Sequence, residues 1–151
     1  MTGYSIALFL HIVGALLLFV LLTVEGITRR QGTTGARFNR ILGPISALLI
    51  LVPGLYMVAS SAGWSGWVEV GLTTWVLIAV SGAITGIGLL RGRVSMRTAA
   101  ISWSARVGTA VAVVFIMTVK PDLLASFVAV VIGLAAGLAG SLFTVRQVQS
   151  A

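Results

Sequence analysis

Five apolar runs, separated by short segments that hold almost all of the charged residues, constrain this chain more than any other feature. The runs cover about residues 4–24, 41–60, 70–90, 101–119 and 123–145. Each is close to the roughly 20 residues that an α-helix needs to cross a bilayer. Charged residues make up 9% of the chain and hydrophobic residues 58%, against about 25% charged in a soluble domain. We therefore expect an all-α, polytopic membrane helix bundle of about five transmembrane helices, forming a single domain over residues 1–151 in the lipid bilayer.

The basic residues predict the orientation of these helices. If every run crosses, nine arginines fall on one side and Lys120 alone falls on the other. The arginines are Arg29, Arg30, Arg37, Arg40, Arg91, Arg93, Arg97, Arg106 and Arg146. The positive-inside rule then places the N-terminus outside and the C-terminus in the cytoplasm, whereas a four-span alternative would divide the arginines between the two sides. The excess of arginine over lysine favours a bacterial origin, and hence a multi-pass protein of the bacterial plasma membrane.

The first apolar run is predicted to be a transmembrane helix and not a cleaved signal peptide. No Lys or Arg precedes it, and it is longer than the roughly 7–15 apolar residues of a signal sequence.

Several function classes are excluded by the residues that the chain contains. The net charge of +7 does not indicate nucleic-acid binding, because the basic residues lie in the gaps between apolar runs. The absence of cysteine removes thiolate metal sites and thiol redox chemistry. No nucleotide loop, nucleophile system or metallohydrolase motif is present. We therefore expect no nucleic-acid partner, and a non-enzymatic role more than an enzymatic one.

His11 is the only histidine and lies within the first apolar run, roughly 10 Å below the outer end of the predicted helix. Ionisable groups at membrane depth usually face other helices or a cavity. Ala7 and Gly14, one turn to either side, leave room for a close neighbouring helix or for a flat ligand. Two interpretations remain open: an imidazole bonded to a Ser, Thr or carbonyl group of another helix, or a ligand to a metal ion or haem.

The predicted topology places four other candidate residues near the same outer level, namely Tyr56, Met57, Met117 and Lys120. A histidine with thioether partners can bind copper(I) or the iron of haem b, so His11, Met57 and Met117 form the candidate cofactor site. The alternative for both methionines is hydrophobic packing. Lys120 is either part of an ionic site with Asp122 or an interfacial anchor, and Asp122 is predicted to cap the last helix. A single histidine does not provide the two axial ligands of a typical b-type cytochrome.

Three further features bear on helix packing. Pro53 is predicted to kink the second helix and to free the carbonyl group of Leu49. Arg106, in the first turns of the fourth helix, is expected to extend its side chain toward the interface. Glycines spaced for close packing occur in the third and fifth helices and predict contacts within the chain or in a homo-oligomer. They are Gly82, Gly86, Gly133, Gly137 and Gly140.

Four short segments together resemble the bacterial DUF2269 family of integral membrane proteins, which is related to the CopD-type copper-resistance membrane domain. They are Leu10 to Ala15, Pro53 to Met57, Trp64 to Trp67 and Met117 to Pro121. The helix-borne Leu-His pair is also similar to that of the HemJ-type membrane oxidases. The resemblance implies a helical membrane fold and carries over only His11, as a residue toward haem or copper. The chain lacks the further histidines of CopD-type domains.

Three hypotheses follow from these observations. The first is a small, non-enzymatic membrane protein with a haem- or copper-binding pocket around His11 near the outer leaflet. The second is a haem-dependent membrane oxidoreductase of the HemJ type. The third is a transporter, or transporter subunit, for a small solute.

Overall fold

The computed structural model describes the backbone of residues 2–30 and 35–149, and the side chains of residues 2–28, 39–61 and 63–142. Its helices are α1 (Gly3–Arg30), α2 (Gly35–Met57), α3 (Gly66–Leu90), α4 (Met96–Val119) and α5 (Leu123–Gln149). A π-helical turn, Val58–Ala62, follows α2. No strand occurs in the described part of the chain.

The prediction of an all-α membrane protein is confirmed. Within the described residues, five helices are long and apolar enough to cross a membrane. Most of their large apolar side chains are exposed on the protein surface, as expected when lipid, and not a protein core, is the solvent of a helix. The chain therefore has the structure of a multi-pass membrane protein.

The helices extend beyond the predicted runs into the polar segments. The segment that holds Arg29 to Arg40 lies between the first two apolar runs, yet its described backbone is helical up to Arg30 and again from Gly35. Arginine is a good helix former, so the helices continue after hydrophobicity has ended. The side chains of Arg29, Arg30, Arg37 and Arg146 lie outside the described residues.

Two compact units make up the chain, residues 1–64 and residues 65–151. The first unit is an antiparallel hairpin of α1 and α2. Its register is defined by Gly3 beside Tyr56 and by Gly14 beside Leu49. Ser46 of α2, 1% exposed, donates a hydrogen bond of 3.0 Å to the carbonyl oxygen of Gly14. The small residues Gly14 and Ser46 thus bring the two helix backbones close together.

The second unit packs α4 against both α3 and α5. The side chain of Met117 lies over Gly71, and Thr85 and Ser102 share a hydrogen bond of 2.9 Å between α3 and α4. Ile116 of α4 is fully buried. The connection from α4 to α5 takes only three residues, 120–122.

Glycines set the contact between α4 and α5. A Cβ on Gly133 would lie 2.6 Å from the carbonyl oxygen of Gly108 and 2.7 Å from the Cβ of Ala112, and Gly137 is in equally close contact with Ser104. The predicted close packing is therefore present within this chain at Gly133 and Gly137. Gly86 and Gly140 have open space where a Cβ would be placed, so no close contact with the described residues requires a glycine there.

Replacement of Gly133 with alanine is expected to destabilise the second unit by about 1–3 kcal/mol, because the added methyl group meets a backbone carbonyl that cannot move alone. The matched control is Gly140→Ala in the same helix, which we expect to stay within about 0.5 kcal/mol of the original protein. Thermal unfolding in detergent, followed by circular dichroism, measures both. Equal stability of the two variants would contradict the close α4–α5 contact.

Candidate functional site

The His11 side chain reaches across the hairpin to α2. Its Nδ1 atom lies 2.8 Å from the backbone carbonyl oxygen of Ile50, and the ring is half-buried. A carbonyl oxygen can only accept, so Nδ1 donates this hydrogen bond. Of the two interpretations of His11, the hydrogen bond to a carbonyl group of another helix is present.

The bond forms beside a proline in α2. Pro53 has no N–H group, so the carbonyl group four residues before it, that of Leu49, loses its regular partner. The imidazole binds the next carbonyl along, that of Ile50, while α2 continues through Pro53 to Met57. Gly54 makes the approach feasible, because a Cβ there would lie 3.2 Å from Cε1 and Nδ1 of His11.

This hydrogen bond decides the chemistry of the second ring nitrogen. When Nδ1 of a neutral imidazole carries the proton, Nε2 presents a lone pair. Histidines that bind metals usually donate their other N–H group to a carbonyl or carboxylate in this way. Nε2 of His11 makes no hydrogen bond to the described residues. In the described part of the first unit, the lone pair of Nε2 is therefore available to bind a metal ion.

The room beside His11 is filled by α2 and not by a cavity. Gly14 is buried, and a Cβ on it would lie 2.8 Å from the carbonyl carbon of Leu49. Ala7 is 7% exposed. The small residues therefore serve the first of the two predicted purposes, the close approach of a neighbouring helix. No room is left at Gly14 for a flat ligand between α1 and α2, whereas a single metal ion at Nε2 needs no such space.

Met57 and Tyr56 lie at the end of α2 that faces the beginning of α1. Ile50, Gly54 and Met57 follow one another at the spacing of a single helix face, which puts the half-buried Met57 about one turn beyond the residue in contact with His11. Tyr56 is exposed, and its hydroxyl oxygen would lie 2.6 Å from a Cβ on Gly3. No direct contact between His11 and either side chain is described.

Met117 belongs to the second unit, where it packs. Its terminal methyl group occupies the position that a side chain on Gly71 would need. This is the hydrophobic packing that was the predicted alternative to a ligand role for Met117.

Lys120 and Asp122 also belong to the second unit, at the short connection between α4 and α5. Lys120 adopts a left-handed conformation with a φ of 53°, and its Nζ atom lies 5.4 Å from the centre of the Trp67 ring. Such cation–π contacts favour an interfacial position for both residues. Asp122 accepts a hydrogen bond of 2.8 Å from the amide of Ala125, so the predicted cap of α5 is confirmed.

Arg106 is not extended toward the interface as predicted. It is 8% exposed, and a Cβ on Gly82 of α3 would lie 3.1 Å from its Nη1 atom. The expectation was wrong because Gly82 leaves a space in the α3 surface that accepts the guanidinium group. A single sequence gives no direct sign of this pairing.

Two further searches for a function, one for clusters of metal-binding side chains and one for similar proteins, give no assignment. Among the described residues, no group of three or more His, Cys, Asp or Glu side chains is arranged to hold a metal ion. Comparisons with protein-family models, with curated proteins and with solved structures find no match to the chain. The fold alone defines the class, which is a multi-pass α-helical membrane protein.

Replacement of Gly14 with alanine is expected to weaken the α1–α2 contact by about 1–3 kcal/mol, because the methyl group meets the α2 backbone. The same change should lengthen the hydrogen bond from His11 to Ile50. Gly43→Ala in α2 is the matched control, since a Cβ there meets nothing within 4 Å. Thermal unfolding measures stability, and the ¹⁵N chemical shifts of the imidazole report its hydrogen bond. Unchanged shifts in Gly14→Ala would contradict this account.

Proposed function

We propose that this membrane protein binds a single copper(I) ion at Nε2 of His11 and acts as a non-enzymatic, copper-binding component of the membrane. The observation that carries the proposal is the hydrogen bond from Nδ1 of His11 to the carbonyl oxygen of Ile50. It leaves Nε2 as the nitrogen that can bind a metal, in the tautomer that metal-binding histidines use.

The chemistry of the neighbouring residues favours copper(I) over other ions. Thioether and imidazole groups suit copper(I), whereas calcium and magnesium prefer oxygen ligands. Met57 is the thioether of the first unit on the face of α2 that contacts His11. Copper(I) accepts low coordination numbers, so one imidazole and one thioether are a sufficient protein contribution.

The close packing of α1 and α2 favours a bare ion over haem b. The backbone of α2 lies directly against Gly14 of α1, and Ala7 on the same helix face is buried. The haem-dependent oxidoreductase is therefore the weaker hypothesis, and no described feature specifically favours a transporter. The resemblance to CopD-type domains extends to His11 alone, because the chain lacks their further histidines.

The test is copper(I) binding by the full chain, purified in detergent and titrated without oxygen against a coloured copper(I) chelator. We expect one ion per chain and no Soret band after addition of haem. Replacement of Met57 with leucine should weaken binding by about 10- to 100-fold, the loss typical even of outer-shell partners. Met117→Leu is the matched control, because Met117 packs on Gly71, and it should bind as the original protein does.

Two variants of His11 separate binding from structure. In His11→Asn the amide nitrogen can replace Nδ1 as donor to Ile50, but nothing replaces Nε2. This variant should keep its stability and lose copper. His11→Leu loses both and should be about 0.5–1.5 kcal/mol less stable. Copper binding that survives in His11→Asn, or a Soret band that depends on His11, would overturn the proposal.

We further propose that the N-terminus lies outside the cytoplasm, in the plasma membrane of a bacterium. The excess of arginines at one set of helix ends supports this orientation. It places the beginning of α1, and with it Tyr56 and Met57, toward the outer side, so that copper would enter from there.

The absence of cysteine makes the orientation easy to measure. In the proposed orientation, Ser60 after α2 faces the outside and Met96 at the beginning of α4 faces the cytoplasm. Both positions are exposed, so the single substitutions Ser60→Cys and Met96→Cys each provide one accessible thiol. A membrane-impermeant maleimide added to intact cells should label Ser60→Cys only. Labelling of Met96→Cys alone would reverse the orientation.

A further inference from the structure

Three exposed arginines surround the turn between α3 and α4, residues 91–95. They are Arg91, Arg93 and Arg97. No Asp or Glu occurs between Glu69 and Asp122, and those two carboxylates lie at the other ends of α3 and α4. The turn is therefore strongly cationic, without a carboxylate of its own unit to balance it.

The turn holds these arginines on an ordered backbone. The amide of Arg93 donates to the carbonyl oxygen of Gly88 at 2.8 Å, and the amide of Gly92 donates to that of Leu89 at 3.1 Å. These two bonds form a Schellman motif, and the φ of 65° at Gly92 fits it. Val94 packs onto Gly88 behind the turn. The basic side chains thus start from fixed positions.

Arg97 stands where a helix dipole disfavours a cation. It is the second residue of α4, two positions after the N-cap residue Ser95, whose hydroxyl oxygen accepts a hydrogen bond of 3.1 Å from the amide of Thr98. The positive end of the dipole favours anions. An anion bound here would be attracted by the helix dipole as well as by Arg97, so the position of Arg97 adds to the argument from the number of arginines.

Apolar side chains lie next to the same arginines. Leu90 is 57% exposed and Met96 is 46% exposed, at the last turn of α3 and the first turn of α4. A free phosphate ion would gain nothing from them, whereas the acyl chains of a lipid would contact both.

We infer that the turn between α3 and α4 binds the phosphate group of an anionic phospholipid, through Arg91, Arg93 and Arg97. Arginine binds phosphate by paired N–H···O bonds, and clusters of basic residues at helix ends recognise anionic lipids. The inference does not depend on the copper proposal, since it concerns other residues in another unit.

The test compares the binding of phosphatidylglycerol and phosphatidylcholine with the same acyl chains to the full chain in detergent, by native mass spectrometry. We expect tighter binding of phosphatidylglycerol. Each replacement of an arginine of the turn with glutamine should reduce that preference about fivefold, and the triple variant should remove it. Lys120→Gln removes one charge from the same unit at another connection and should leave the preference unchanged. Circular dichroism checks that every variant is folded. If the triple variant does not fold, the single variant Arg93→Gln is enough to test the inference.

Two results would overturn the inference. One is an undiminished preference for phosphatidylglycerol in Arg93→Gln, or an equal loss in Lys120→Gln. The other is competition by glycerol phosphate as effective as that by the lipid, which would assign the turn to a soluble anion. Loss in the arginine variants, with no effect of glycerol phosphate, supports a lipid site.

Discussion

The lack of hydrogen-bond partners in hydrocarbon governs this structure. A polar group within a membrane-spanning segment depends on the protein for a hydrogen-bond partner, and several described side chains find one on a backbone carbonyl group. Thr109 donates to the carbonyl oxygen of Ala105 at 2.9 Å within its own helix. Ser46 and His11 instead donate across to the neighbouring helix. The imidazole of His11 thus meets the need for a hydrogen-bond partner through one ring nitrogen, and the other ring nitrogen remains available for a metal ion.

Close helix packing makes these interhelical bonds feasible, and glycine makes the packing feasible. A serine hydroxyl reaches a backbone carbonyl of another helix only where the two backbones approach, as they do at Gly14. Gly54 has the corresponding role for the imidazole of His11. In the second unit, Gly108 and Gly133 bring α4 and α5 together, and Gly82 accepts the guanidinium group of Arg106. The small residues therefore position polar groups as well as helices.

In the second unit, the charged residues of the α3–α4 connection differ in their surroundings from those of the α4–α5 connection. Lys120 lies over the ring of Trp67, and Asp122 caps α5. The turn after α3 instead presents Arg91 and Arg93 to the surroundings, with no carboxylate in the sequence nearby. Positive charge that is satisfied locally anchors a helix end, whereas charge left exposed on an ordered turn is available to a ligand. This difference is the reason why a lipid site is inferred for the arginines and not for Lys120.

The amino-acid sequence by itself determined the helical class, the approximate spans and the cap at Asp122, because hydrophobic runs and local hydrogen bonds depend on residues close together in the chain. It also singled out His11, since an ionisable residue inside an apolar run is rare. Only the tertiary structure decided that His11 bonds to the carbonyl oxygen of Ile50, that α2 fills the space beside Gly14, and that Arg106 is buried on Gly82. These outcomes depend on the register between helices, and register is set by the fit of side chains on two surfaces that hydropathy alone does not encode.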